Sequence, residues 1–184
     1  YTSEGIRNFT DLIGVSKANS IVDMSVLEHA VREDLNARTP RVMAVLEPLK
    51  VVIENYPKDK EETFDVTYYK QDKTRTESRD IPFSREIYIE RSDFMEEPVK
   101  GYNRLAPETE VRLMNAYYIT CTGVVKDKAG RIVELRATYD PASRGGQSAD
   151  GRKVKGTIHW VSAEHALPAE VRLYEPLFTQ ANPE

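Results

Sequence analysis

The chain has 184 residues, 40% of them hydrophobic and 30% charged. That is enough for one domain with a core, or a small domain with an appendage. It contains no apolar run approaching the roughly 18 residues of a membrane span and no secretory leader. A net charge of −4 argues against a general nucleic-acid binder while leaving room for a local positive face. Cys121 is the one cysteine, which excludes an intrachain disulfide framework and fits a reducing compartment. The start at Tyr1 and the loop-like end "TQANPE" read as a piece cut from something longer.

Residues 1–38 read as helical. Ile6, Phe9, Leu12 and Ile13 recur at helical spacing, with Gly14 where a C-terminal cap belongs. Met24, Leu27, Val31 and Leu35 repeat the pattern after the polar turn "VSKANS". Asp23 fits the N-cap of that second helix, with Ser25 and Glu28 as an alternative capping-box start. "NARTP" stops it at Pro40.

From residue 41 the period changes to short β-branched runs. "RVMAVLEP", "LKVVIENY", "TFDVTYY", "REIYIERSDF", "EVRLMNAYYITCTGVV", "RIVELRATYD", "GTIHWV" and "EVRLYEPL" read as strands. "KDKAGR" reads as a hairpin turn with Gly130 free to take positive φ. "KQDKTRTESRD" reads as a charged loop and "DPASRGGQSADGRK" as a long flexible one. Many short strands at this spacing predict a mainly β fold, a barrel or sandwich, behind an N-terminal α-helical piece.

Few residues carry a chemical signature. His159 and His165 are six apart; on a straight strand that places them about 20 Å apart, too far for one metal, and the spacing matches no zinc motif. No metal site is expected. Cys121 has no cationic neighbour in sequence to lower its pKa and reads as buried and inert. "SRGGQSADGR" lacks the phosphate-loop pattern. The acidic "ERSDFMEEP" reads as a solvated face. The basic residues say more. Residues 144–156 hold Arg144, Arg152, Lys153 and Lys155 against Asp150, a net of +3. Arg41 stands at the helix-to-strand junction, and Arg104 and Arg112 flank the loop "LAPETEV". Tyr102, Tyr117 and Tyr118 lie close to those arginines in sequence. Arginine grips phosphate or a base edge bidentately and stacks on bases, so interleaved Arg and Tyr suit splayed single-stranded RNA. The competing reading is an ordinary solvated barrel surface.

Three stretches carry a resemblance. "YTSEGIRNFTDLIGVSKANS" with "LEHAVREDLNARTPRVMAVLEPLKVVIENY", then "REIYIERSDFMEEPVKGYNRLAPETEVRLMNAYYI", then "TYDPASRGG" through "DGRKVKGTIHWVSAEHALPAEVRLYEPLF" resemble, in order, the anticodon-binding region of the glutaminyl-tRNA synthetase family. The resemblance implies a fold and a division of the chain. Residues 1–38 would end the helical, stem-contacting subdomain. Residues 39–157 would form a proximal anticodon-binding β-barrel, of a type shared with a ribosomal protein. Residues 158–184 would cross into the start of a second, distal barrel, with Trp160 as a packing anchor near the crossing. It also implies a cytoplasmic, monomeric class I synthetase as parent, which ligates glutamine to its tRNA with ATP and magnesium. The family's "HIGH"- and "KMSKS"-type ATP signatures do not occur in this chain, so no catalytic residue and no cofactor is expected here. By the same resemblance, Arg41 contacts the middle anticodon base and Arg104 reads the third, a guanine. Arg112 lies beside the first base and its phosphate, and Ser16 and Lys17 form a turn against the tRNA stem. Apart from the resemblance, the charge of "RKVK" suits a minor contact with RNA backbone. Asn103 and Met114 stand where the family often has basic residues, which lightens the grip on the first base. Two other readings are kept: the same region of a glutamyl-tRNA synthetase, and a barrel that binds protein or serves structure alone.

Overall fold

The computed structural model describes residues 1–69, 72, 74–148 and 150–175. The chain divides into two compact units. The first comprises Tyr1–Arg41 with the described residues of Thr67–Glu77 and those from Val171 onward; the second comprises Val42–Val66 and Ser78–Glu170.

In the first unit, α1 (Ser3–Ile13) starts at Thr2, whose hydroxyl accepts the Gly5 N–H at 3.0 Å, and ends at Gly14, φ 68°. α2 (Met24–Arg38) is capped by Asp23, whose carboxylate accepts the Ser25 N–H at 2.8 Å. Gly14 and Asp23 cap where the sequence puts them, Thr2 is a cap it does not announce, and α2 ends at Arg38, directly before Thr39-Pro40. The helices pack through buried Gly5 and Ala30. A Cβ on Gly5 would meet the capping Thr2 Oγ1 at 3.0 Å and make ordinary contact with the Val31 Cα at 3.6 Å, so the glycine chiefly leaves room for the cap. Ile6, Leu12 and Met24 stay exposed; the helical period forms the helices, and their apolar residues are only partly covered.

The second unit is a sheet of seven strands in the order β8-β5-β6-β7-β1-β4-β9, with a two-stranded ribbon, β2-β3, packed on its core. The strands are β1 (Pro48–Ile53), β2 (Glu62–Thr67), β3 (Ser78–Phe83), β4 (Glu86–Glu90), β5 (Glu110–Leu113), β6 (Tyr118–Lys126), β7 (Ile132–Asp140), β8 (Thr157–Ile158) and β9 (Trp160–Ser162). β6 and β7 form the expected hairpin, with Gly130 at φ 80°. The two edge strands are consecutive in the chain, separated only by His159. β8 pairs parallel with β5 (Leu113 opposite Ile158), and β9 pairs antiparallel with β4 (Ile89 opposite Trp160). One bent segment thus joins both edges and nearly closes the sheet into a barrel, which removes the unpaired rows of N–H and C=O groups. Trp160 is fully buried on that segment; its indole N–H donates to the Met114 carbonyl at 2.9 Å and its ring meets Phe83 edge-on at 4.9 Å.

Five expectations need correction. The run "EVRLMNAYYITCTGVV" is two antiparallel strands, β5 and β6, joined by a turn at residues 114–117. Arg41–Glu47 forms no strand, and β1 begins at Pro48, a position that tolerates proline because it opens the strand. β3 has no clear strand signal in the sequence: Ser78, Arg79 and Asp80 look like loop, yet Ile81 and Phe83 alternate inward around Pro82. Residues 157–162 make two short strands rather than one. The strand expected over "EVRLYEPL" is absent at residues 170–175; its last residues, the "TQANPE" tail and parts of the charged loop lie outside the described residues.

A polar hub ties the ribbon to the core. The Glu62 carboxylate accepts from the Tyr117 hydroxyl at 2.7 Å, the Tyr56 hydroxyl at 2.8 Å, Lys60 at 3.2 Å and Arg144 at 3.3 Å. Burial pushes the Glu62 carboxyl upward, but these hydrogen bonds, led by Tyr117, outweigh it and hold the group below its ordinary value. A lowered carboxylate stabilises the fold above its unfolded-state pKa, and that contribution disappears as pH falls through the folded value. Glu62→Gln should therefore cost about 1.5–3 kcal/mol at pH 7, with the gap to wild type closing toward pH 3, as urea melts at the two pH values will read.

Candidate nucleic-acid interface

The arginines singled out in the sequence fall in both units. In the first, Arg41 is half-buried, its N–H donating to the Tyr68 carbonyl at 3.2 Å and its guanidinium to the Asn36 side chain at 2.8 Å. With Leu35, Thr39 and Val31 it lines a groove of about 400 Å³. Ser16 and Lys17 are exposed in the turn between α1 and α2, where the Ser16 hydroxyl accepts the Ala18 N–H at 3.1 Å.

In the second unit, Arg104 and Arg112 converge on the start of the closing segment. Arg112, on β5, donates its backbone N–H to the Gly156 carbonyl at 2.9 Å and stands opposite Thr157. Arg104 reaches the Thr157 carbonyl at 3.5 Å from the other side. Gly156 makes this convergence possible: a Cβ there would lie 2.3 Å from the Asn103 carbonyl oxygen. Arg112 donates to the Tyr118 hydroxyl at 3.2 Å, while its Nε is buried and has no hydrogen-bond acceptor among the described residues. An unsatisfied buried donor costs about 1–3 kcal/mol; Gly146 packs over this one, a Cβ there falling 3.6 Å from it.

Arg104 is held by Asp93. The guanidinium Nη1 donates to the carboxylate at 2.8 Å, with the arginine side chain 48% exposed and the aspartate 11%. Burial raises the Asp93 carboxyl above its ordinary range, opposed by the nearby Arg104 and His159. The sequence places Asp93 in a solvated acidic stretch; the structure buries it instead, at the end of a 3-10 turn (Arg91–Asp93), where its carbonyl accepts the Leu105 N–H at 3.0 Å. Its only signal in the sequence is an acid directly before an apolar Phe94.

The basic loop 144–156 is largely neutralised within the protein. Arg152 contacts the carboxylates of Glu110 at 2.8 Å, Asp150 at 2.9 Å and Asp140 at 2.5 Å, and Arg144 pairs with Glu62. Lys153 and Lys155 are exposed. Tyr117 and Tyr118 are buried, which removes their rings as platforms for bases; Tyr102 is half-buried, its hydroxyl 3.3 Å from the Ser92 carbonyl. Cys121 is fully buried and its thiol is pushed up by burial. His159 lies beside Asp93, whereas His165 contacts the Ser162 hydroxyl at 2.9 Å and Glu61 at 3.7 Å. Glu61, Glu164 and His165 bring three potential ligand atoms within 4.8 Å of one another at the exposed surface. Among the described residues no helix is long and apolar enough to cross a membrane.

Two guanidinium-bearing side chains thus meet the closing strand of a barrel, and guanidinium groups are chemically suited to grip phosphates and base edges. The family model for the anticodon-binding domain of class I tRNA synthetases (E and Q) matches residues 39–140, and a second anticodon-binding model of those synthetases matches residues 157–184. The chain belongs to this anticodon-binding family. It is 57% identical to the glutamine–tRNA ligase of Clostridium kluyveri over 98% of its length, 55% identical to that of Nitrobacter hamburgensis over 99%, and 51% identical to that of Clostridioides difficile over 100%. It spans about a third of the length of these relatives, 32%, 32% and 33% respectively.

The Asp93–Arg104 pair makes stability testable. Asp93 has a raised pKa, so its ionisation opposes folding as pH rises through the folded value, and Arg104 offsets that opposition. Arg104→Ala should lose about 1–2 kcal/mol at pH 7, less than for a fully buried pair because the arginine is half in water. The loss should shrink as acid protonates Asp93, in thermal melts run from pH 7 to pH 4.

Proposed function

We propose that this chain holds the anticodon loop and inner stem of a glutamine tRNA, as part of a cytoplasmic, monomeric class I synthetase that ligates glutamine to that tRNA using ATP and magnesium. The single observation that supports it best is the convergence of Arg104 and Arg112 on the Gly156–Thr157 backbone. In this reading Arg104 reads the third anticodon base, Arg112 meets the first base and its phosphate, Arg41 contacts the middle base, and Ser16 with Lys17 touches the stem. Residues 1–38 end the stem-contacting subdomain, 39–157 form the proximal barrel and 158–184 lead toward a distal one. ATP, magnesium and the chemistry belong to other parts of the parent; no residue here is assigned to catalysis or to a cofactor. Glutamine is preferred over glutamate because the relatives described above are glutamine–tRNA ligases.

Binding to a glutamine-tRNA anticodon stem-loop should weaken as salt rises, because guanidinium–phosphate contacts release counterions. Arg41→Ala should reduce affinity and cut discrimination at the middle base by about 1–3 kcal/mol, taking base-edge readout by arginine as the guide. Fluorescence anisotropy with the cognate stem-loop and a middle-base variant measures both. Equal losses on the two RNAs would make Arg41 a backbone contact. Absence of binding even at low salt would favour the structural or protein-binding barrel.

A further inference from the structure

We propose that Asp93 is a positioning residue for base selection: it converts Arg104 from a general phosphate-binding cation into a reader of one base edge. The inference rests on the reading above that Arg104 meets the third anticodon base.

A guanidinium has two faces that can donate bidentately, one across Nη1 and Nη2 and one across Nε and Nη2. Asp93 and the Thr157 carbonyl engage Nη1, at 2.8 Å and 3.5 Å. Among the described residues, no protein acceptor faces Nε or Nη2, so the Nε–Nη2 face is the one left for a ligand. The same aspartate fixes the other end of the arginine. Its backbone carbonyl accepts the N–H of Leu105, the residue next to Arg104, and Leu105 in turn accepts the Met95 N–H at 3.1 Å. Phe94 and Leu105 bridge the neck of the loop that carries Arg104. Backbone and guanidinium are thus both referred to Asp93, which removes much of the rotamer freedom that a long arginine side chain loses on binding.

The pair is a poor stability device. A carboxylate at 11% exposure facing a cation at 48% loses hydration that a half-solvated partner restores only in part, and an apolar side chain would serve the core as well. Its electrostatic effect is more specific. A bare arginine attracts any phosphate on any RNA, whereas an arginine already paired with a carboxylate carries little net charge toward the backbone and keeps its directional donors. Discrimination among bases depends on those donors, and general RNA affinity depends on net charge.

The test uses the 184-residue chain with an anticodon stem-loop RNA carrying guanine at the third anticodon position, and the same RNA with adenine there. Wild type should prefer guanine and Arg104→Ala should not; a wild type without that preference overturns the underlying reading, and this inference with it. Asp93→Asn keeps the shape and removes the charge. It should lower the guanine preference about tenfold while binding the adenine RNA more tightly than wild type does. The slope of log affinity against log salt should steepen by about 0.7, one added phosphate contact on a single strand. Asp93→Asn in the Arg104→Ala background should change neither quantity. An Asp93→Asn protein that keeps its guanine preference and salt slope overturns the proposal while leaving the role of Arg104 intact. Equal weakening on both RNAs together with a lowered melting temperature overturns it too, by showing that Asp93 serves the fold alone.

Discussion

Six residues, Thr157–Ser162, close the barrel, and the candidate interface is built on the same segment. Its first half hydrogen-bonds β5 and its second half β4, so the sheet has an edge on each side without it. Burial of Trp160 against Phe83, with the indole N–H on the Met114 carbonyl, anchors the segment where it turns from one partner to the other. The register that seats Trp160 also puts the Gly156 carbonyl on Arg112 and the Thr157 carbonyl beside Arg104. Closing the fold and assembling the arginine pair are therefore one event, and the backbone contact at Gly156 leaves no room for a side chain.

The distribution of charge follows a second logic. This is an acidic chain, −4 overall, and its most basic loop contributes little free positive field because Arg152 is engaged by three carboxylates and Arg144 by Glu62. What remains is a small number of guanidinium groups with fixed geometry. A broad cationic face would hold any RNA through its backbone; a few oriented arginines suit the proposed role, in which one anticodon is distinguished from another. Asp93 is part of that economy, a buried acid that orients a cation instead of a solvated one that repels RNA.

Local signals in the sequence were legible where the chain's own chemistry decides the outcome. Asp23 as a cap, Gly14 as a stop, Pro40 as a breaker and Gly130 in a turn all depend on neighbours within a few residues. The resemblance to the glutaminyl-tRNA synthetase family was legible as well, because it rests on long ordered stretches. Tertiary context decided the rest. Ile81 and Phe83 form a strand despite Pro82 because they face the core, not because the segment favours it. Tyr117 and Tyr118 look like stacking platforms by sequence proximity to arginines, yet their side chains are drawn inward, Tyr117 to Glu62. Asp93 and Arg104 are eleven positions apart and meet only through a loop neck, and Arg152 meets Glu110 across forty-two. No period or spacing along the chain encodes such encounters.

The decisive question is which guanidinium groups meet RNA. The side-chain Nε–H resonances of the arginines, followed by NMR as a glutamine-tRNA anticodon stem-loop is added, report this directly. Arg104 and Arg112 should shift, with Arg104 gaining protection from exchange, while Arg152 stays with its carboxylates and moves little. Shifts concentrated at Arg152 and Arg144, with Arg104 and Arg112 unchanged, would contradict the proposed interface.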